Sequence, residues 1–163
     1  MKPHPRLALI DDDRTWLETL AEYLRDKGYG VETALGGARG LRLLERGGIG
    51  LAVVDFHMPD LDGLELLRQL RRRRLDVDVL LMSSDDDPGL PGRVRAAGAS
   101  AFLSKNAAPA LLLRALTQTL SSVLAEMARR PRELSRWDLF LPVPRRPEAW
   151  LPMPQRSRES ERN

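Results

Sequence analysis

The 163-residue chain contains no cysteine, which excludes disulfides, thiolate zinc sites and a cysteine nucleophile. No apolar run approaches the roughly 20 residues that a membrane-spanning helix needs. No signal-peptide pattern precedes the first strand-like run either, since Met1-Lys2-Pro3-His4-Pro5-Arg6 leads straight into it. The expectation is a cytoplasmic protein without a membrane partner. His4 and His57 are the only histidines, and neither has the partner spacing of a histidine metal site. Gly36-Gly37 and Gly47-Gly48 are helix punctuation, because no lysine and serine or threonine follow them as a phosphate loop requires. Lysine is also missing from Ser121 onward, where nine arginines face six acids. The formal charge of the whole chain is +3, so residues 1–120 carry equal numbers of each sign and the basic character belongs to the tail.

What is present is ordinary for a globular domain, with 42% apolar and 30% charged residues. The length suits one domain with a real core. Residues 1 to about 120 alternate strand-like and helix-like stretches, the pattern of a doubly wound parallel sheet. Strands are expected near Leu7–Ile10, Val31–Ala34, Leu51–Val54, Val77–Met82 and Ala101–Ser104, with the continuous run Leu51–Val54 as a central strand. Trp16, Leu17, Leu20, Tyr23 and Leu24 repeat at helical spacing, with Asp13 or a neighbour as cap and Gly28 as stop. Leu41, Leu43 and Leu44 mark a second helix; Leu64, Leu67 and Leu70 mark a third, ending in Arg71-Arg72-Arg73-Arg74. Pro88, Gly89, Pro91 and Gly92 restrict the fourth helix to a short piece, about Arg93–Ala97. A fifth, amphipathic helix carries Leu111 to Leu124, with Pro109 in its first turn. A division follows: a folded body over 5–127 and a Pro/Arg-rich tail over 128–163 with no independent fold. Six of the twelve prolines lie in that tail, together with Trp137, Phe140 and Trp150.

Four of the five strand-like runs end in a polar residue. They lead into Asp11-Asp12-Asp13, Asp55, Ser83-Ser84 and Lys105. In an open parallel sheet, ligands and chemistry collect in the crevice at the carboxyl ends of the strands. Carboxylates, a hydroxyl and an ammonium should therefore meet in one place. Clustered carboxylates raise one another's pKa unless a cation neutralises them, so the acids themselves predict a metal. Taken singly, each residue has a bland reading: aspartate as a helix cap, serine as turn chemistry, lysine as a surface charge. Their joint order at strand ends weighs against that.

These residues resemble the receiver domains of bacterial two-component response regulators, over about residues 5–125. The resemblance rests on Asp11-Asp12, Asp55, Met58-Pro59-Asp60-Leu61-Asp62-Gly63, Ser83-Ser84 and Gly98-Ala99-Ser100-Ala101-Phe102-Leu103-Ser104-Lys105. It implies a flavodoxin-like α/β fold with strand order 2-1-3-4-5. It implies Mg2+ held by Asp12, Asp55 and the main-chain carbonyl of His57, with Asp11 acting through a water. Asp55 is then the phosphoacceptor, Lys105 and Ser83 contact phosphoryl oxygens, and Phe102 is the aromatic that fills space vacated when the Ser83 loop moves in. The implied donor is a histidine kinase or phosphotransfer protein, and the only reaction is self-phosphorylation and self-dephosphorylation at Asp55. Because Ser121–Asn163 is too short for a winged helix or catalytic module, a stand-alone receiver is expected.

Two departures from the family stand out. Asn106 replaces the usual proline after the lysine, where the family has a cis peptide; the bond is therefore trans with the lysine displaced, or strained. The stretch Pro88–Gly92 lies on the face that usually carries output. Other classes remain open. A haloacid-dehalogenase-like phosphatase wants a second aspartate two residues after the nucleophile, and His57 stands there. The Pro/Arg/Trp tail can serve as a docking segment for a downstream protein, or pack on the body or on a second copy as a homodimer. Interleaved prolines and aromatics without lysine argue against nucleic acid.

Overall fold

Five apolar runs become five parallel strands, and an apolar stripe on each intervening helix covers them. The computed structural model describes residues 6–130. In chain order the elements are β1 (Arg6–Asp11), α1 (Arg14–Asp26), β2 (Gly30–Leu35), α2 (Gly37–Arg46), β3 (Leu51–Asp55), α3 (Gly63–Arg72), β4 (Asp78–Ser83), α4 (Leu90–Ala96), β5 (Ala101–Ser104) and α5 (Pro109–Arg129). The sheet order is β2-β1-β3-β4-β5, which is the flavodoxin-like order expected. Reversal of strand order beside β1 puts the switch point of the sheet between β1 and β3, where Ile10 pairs Val54.

β1, β3 and β4 are covered on both faces, which is why their sequences are continuously apolar rather than alternating. Leu7, Leu9, Leu51, Val53, Leu80 and Met82 point toward α1 and α5. Their alternates Ala8, Ile10, Ala52, Val54, Val79 and Leu81 face α2, α3 and α4. Burial of this aliphatic set is the main stabilising term, at about 1.5–3 kcal/mol for each large side chain.

Local signals place the helices. Asp13 caps α1, its side chain accepting from the Trp16 amide at 3.0 Å. Asp62 caps α3 in the same way through Glu65. Helix α2 has no cap of its own, because its N-cap is Gly36. The Asp60 carboxylate, from the loop after β3, accepts instead from the amides of Gly37 at 3.1 Å and Ala38 at 2.9 Å.

Helix α4 corrects the expectation of a piece over Arg93–Ala97. It starts at Leu90, with Pro91 inside its first turn, because a proline there forfeits only an amide that has no helical partner anyway. Leu90 and Val94, one turn apart, are both buried and hold it to the sheet.

At the pole where the strands begin, Asp78 is buried and receives Arg130 in a bidentate pair at 3.0 and 3.1 Å. The Ser100 hydroxyl donates to the same carboxylate. Among the described residues no helix is long and apolar enough to cross a membrane. His4, Trp137, Phe140, Trp150 and nearly all of the segment 128–163 lie outside the described residues.

Candidate functional site

At the opposite pole the strand ends bring together the residues singled out from the sequence. Asp11 terminates β1 and Asp55 terminates β3, and both are buried. Asp12 follows Asp11 and is exposed. One carboxylate oxygen from each of Asp11, Asp12 and Asp55 lies within 4.8 Å of the others. Backbone geometry fixes this cluster. The Phe56 amide donates to the Met82 carbonyl at 2.8 Å, so β3 stays paired up to its last residue. Gly63 packs directly beneath the Asp55 carbonyl, where a Cβ would come within 2.4 Å of that oxygen.

Lys105 reaches across from the end of β5. Its Nζ is 2.6 Å from Asp11 Oδ2 and 2.7 Å from Asp55 Oδ1. The peptide bond to Asn106 is trans, since no cis peptide occurs among the described residues. With that trans bond Lys105 still brings its ammonium to both the Asp11 and the Asp55 carboxylates. Its amide donates to the Ser83 carbonyl at 2.7 Å, so the β4–β5 ladder itself delivers the side chain to the acids.

One cation among three carboxylates explains the titration of the pair. Burial raises the Asp55 pKa, the Lys105 hydrogen bond opposes it, and the charges of Asp11 and Asp12 carry the balance upward from 3.8. Burial also disfavours the Lys105 ammonium, but the hydrogen bonds and charges of Asp11 and Asp55 outweigh it and raise its pKa above 10.5. A set of three carboxylates with a resident ammonium is the donor chemistry that suits a hard divalent cation with oxygen ligands.

Ser83 is fully buried, and its Oγ accepts from the Asp85 amide at 3.0 Å. In this conformation the hydroxyl is therefore engaged with its own loop. The His57 imidazole is exposed and sits 3.5 Å from Asp85 Oδ2. Phe102 is half-buried against the side of the core formed by α2, α3 and α4. It lines a cleft of about 140 Å³ with Pro91, Val94, Arg95 and Ser100.

Two contributors escaped the sequence reading. Trp16, read there as one of a helical apolar set, lines the acidic pocket beside Asp11 and Asp55. Its ring stands 5.7 Å from the Lys105 ammonium, within cation–π range. Asp60, noted only as part of a motif, ties the loop after β3 to α2.

Comparison with known proteins agrees with this geometry. Residues 7–117 match the family described as response regulator receiver domain. The transcriptional activator protein ExaE of Pseudomonas putida is 36% identical over 117 residues, covering 71% of this chain and 55% of that protein. Response regulator MprA of Mycobacterium leprae is 34% identical over 150 residues, covering 90% of this chain and 66% of its own length. The chain thus spans between about half and two thirds of these curated relatives. Among solved structures, a CheY-like receiver domain protein from Methanospirillum hungatei superposes with TM-score 0.65 at 28% identity, covering 76% of this chain and 98% of that one. The receiver domain of yeast Ssk1, solved with the histidine phosphotransfer protein Ypd1, gives TM-score 0.69 at 18% identity over 77% of this chain and 92% of that one.

Proposed function

Because the chain belongs to the response regulator receiver domain family, we propose that it is a phosphoacceptor switch in which Asp55 takes a phosphoryl group from a histidine kinase or phosphotransfer protein. The observation that carries this reading is the Lys105 ammonium held within 2.7 Å of carboxylate oxygens of Asp11 and Asp55, two members of a three-carboxylate cluster completed by Asp12. Transfer requires an Asp55 oxygen to attack phosphorus in line with the donor nitrogen. The P–O bond of an acyl phosphate forms as the P–N bond breaks, and the imidazole leaves with the electron pair.

Asp11, Asp12 and Asp55, with the main-chain carbonyl of His57, are the groups we assign to Mg2+. Bound there, the ion supplies charge screening between the carboxylate and the incoming phosphoryl oxygens. Lys105 then exchanges its bond to Asp55 for a phosphoryl oxygen, offering a compact charge. The Ser83 Oγ accepts from the Asp85 amide, so its own hydrogen is available to donate to a second oxygen, a bond that draws the loop after β4 inward. Phe102, with the cleft beside it, is the side chain assigned to follow that movement. The body over 5–127 carries this chemistry, and the tail over 128–163 is proposed as the contact for a downstream protein or a second copy. As the yeast receiver of the same fold is bound to a phosphotransfer protein, a donor of that kind is the partner to try. The compartment proposed is the cytoplasm.

The test is treatment with acetyl phosphate and Mg2+ followed by intact mass spectrometry. One phosphoryl group per chain, absent in Asp55→Asn, is expected. Sustained turnover of a generic phosphate ester without a stoichiometric adduct would instead indicate a phosphatase and overturn the reading.

A further inference from the structure

The rung beyond the end of the β4–β5 ladder is made by a side chain. The two strands pair up to Ser83 opposite Ser104, and the Lys105 amide adds one more bond to the Ser83 carbonyl. There the strands end. Asn106 then continues the connection: its Nδ2 donates to the Ser84 carbonyl at 3.1 Å and to Asp86 Oδ1 at 2.5 Å. Its own amide is held by Ser104 Oγ at 3.2 Å. A proline at this position has no side-chain donor and no amide hydrogen, so it can make none of these bonds.

We propose that Asn106 is a positioning residue that clamps the Lys105 loop to the Ser83 loop. The ammonium and the hydroxyl are thereby presented to one ligand at a fixed spacing. The inference rests on the proposed phosphoacceptor reading. Lys105 and Ser83 are each the immediate neighbour of a residue in the clamp, Asn106 and Ser84. Without the clamp, the chain leaving β5 and the chain leaving β4 would each have to be ordered separately when a phosphoryl group arrives. Fixing receiving groups before the ligand binds is how preorganisation raises affinity. Magnesium alone makes no demand on Ser83 and gains nothing from a fixed Lys105, so losing the clamp should not weaken its binding.

The experiment uses the full chain and beryllofluoride, a phosphoryl mimic, titrated calorimetrically in Mg2+. Asn106→Asp keeps the shape, removes both donors and places a second carboxylate against Asp86. The expected result is beryllofluoride binding about 3- to 10-fold weaker than wild type, the scale of a lost exposed charge-assisted hydrogen bond. Mg2+ affinity measured without fluoride should not fall, and the melting temperature should drop by no more than the few degrees that one exposed hydrogen bond is worth. Asn106→Ala, which adds no charge, should fall between the two. The exchange Asn106→Asp with Asp86→Asn reverses donor and acceptor and should recover more than half of the lost affinity on a logarithmic scale. Wild-type affinity in Asn106→Asp, no recovery in the exchange, or an equal weakening of Mg2+ binding would each overturn the clamp. A wild-type protein that forms no beryllofluoride complex would overturn the phosphoacceptor reading and the clamp together, and the two failures are thus told apart.

Discussion

Replacing Lys105 with methionine should strengthen Mg2+ binding and weaken binding of a phosphoryl mimic in the same protein. The Nζ lies 2.6 Å from Asp11 Oδ2 and 2.7 Å from Asp55 Oδ1, so it occupies the oxygens a divalent ion would use. A double charge and a single charge about 5 Å apart repel by about 2–7 kcal/mol for an effective dielectric between 80 and 20. Most of that is relieved in the wild type, because the lysine side chain is 19% exposed and can swing outward after giving up its two bonds. A residue of about 1–2 kcal/mol should remain, a 5- to 30-fold gain in Mg2+ affinity for Lys105→Met. Beryllofluoride should show the reverse, losing about 10-fold or more with the Lys105 ammonium. Calorimetric titration of both ligands at pH 8 and low salt decides the matter. Unchanged or weaker Mg2+ binding would refute the view that the lysine stands where the metal goes.

Three further outcomes follow from the same geometry. Asp55→Asn should raise the melting temperature of the metal-free protein at neutral pH. The folded pKa of Asp55 lies above 3.8, so folding favours its protonated form, and that contribution is lost as pH rises through the folded value; the gain should shrink when the melts are repeated with Mg2+. Asp60→Ala should cost about 1 kcal/mol in urea unfolding, because it uncaps α2. The amide of Ala38, with that of Gly37, holds the Asp60 pKa below 3.8 against the opposing effect of burial; its contribution is present above that value and fades as pH falls through the folded one, so variant and wild type should converge in acid. Gly63→Ala drives a Cβ to 2.4 Å from the Asp55 carbonyl oxygen and 2.7 Å from Leu81 Cδ2. It should lower the urea midpoint by an amount equal to about 1–3 kcal/mol, and weaken Mg2+ binding by shifting the end of β3.

What could be read from the chain were the features that repeat locally or end an element. The runs before Asp11, Asp55, Ser83 and Lys105 specify parallel strands, the first three of them buried, and the topology of such sheets brings their ends together without further information. Pro109 at the head of α5 was legible for the same local reason. Pro91 reads locally as a breaker because of the prolines and glycines around it, yet a proline in the first turn costs nothing and Leu90 and Val94 supply the burial. The cap of α2 could not be seen at all. Asp60 is 22 and 23 residues from the amides it serves, and no spacing rule links them. Trp16 has two faces, one that continues the α1 stripe and one toward Lys105, and periodicity reports only the first. Asn106 could be recognised as a departure, but its partners Ser84 and Asp86 come from another loop.

The Asp78–Arg130 pair bears on how the molecule can be divided. Asp78 is buried at the foot of β4, and its bidentate partner Arg130 is the residue that caps the C-terminus of α5. Shortening the protein just past Arg130 leaves that carboxylate matched. Shortening it a few residues earlier, for instance at the 127/128 division, removes that guanidinium and leaves the buried carboxylate to the Ser100 hydroxyl. A loss of function seen with the shorter cut would then report a weakened scaffold rather than a missing tail, and only the longer one isolates what the tail contributes.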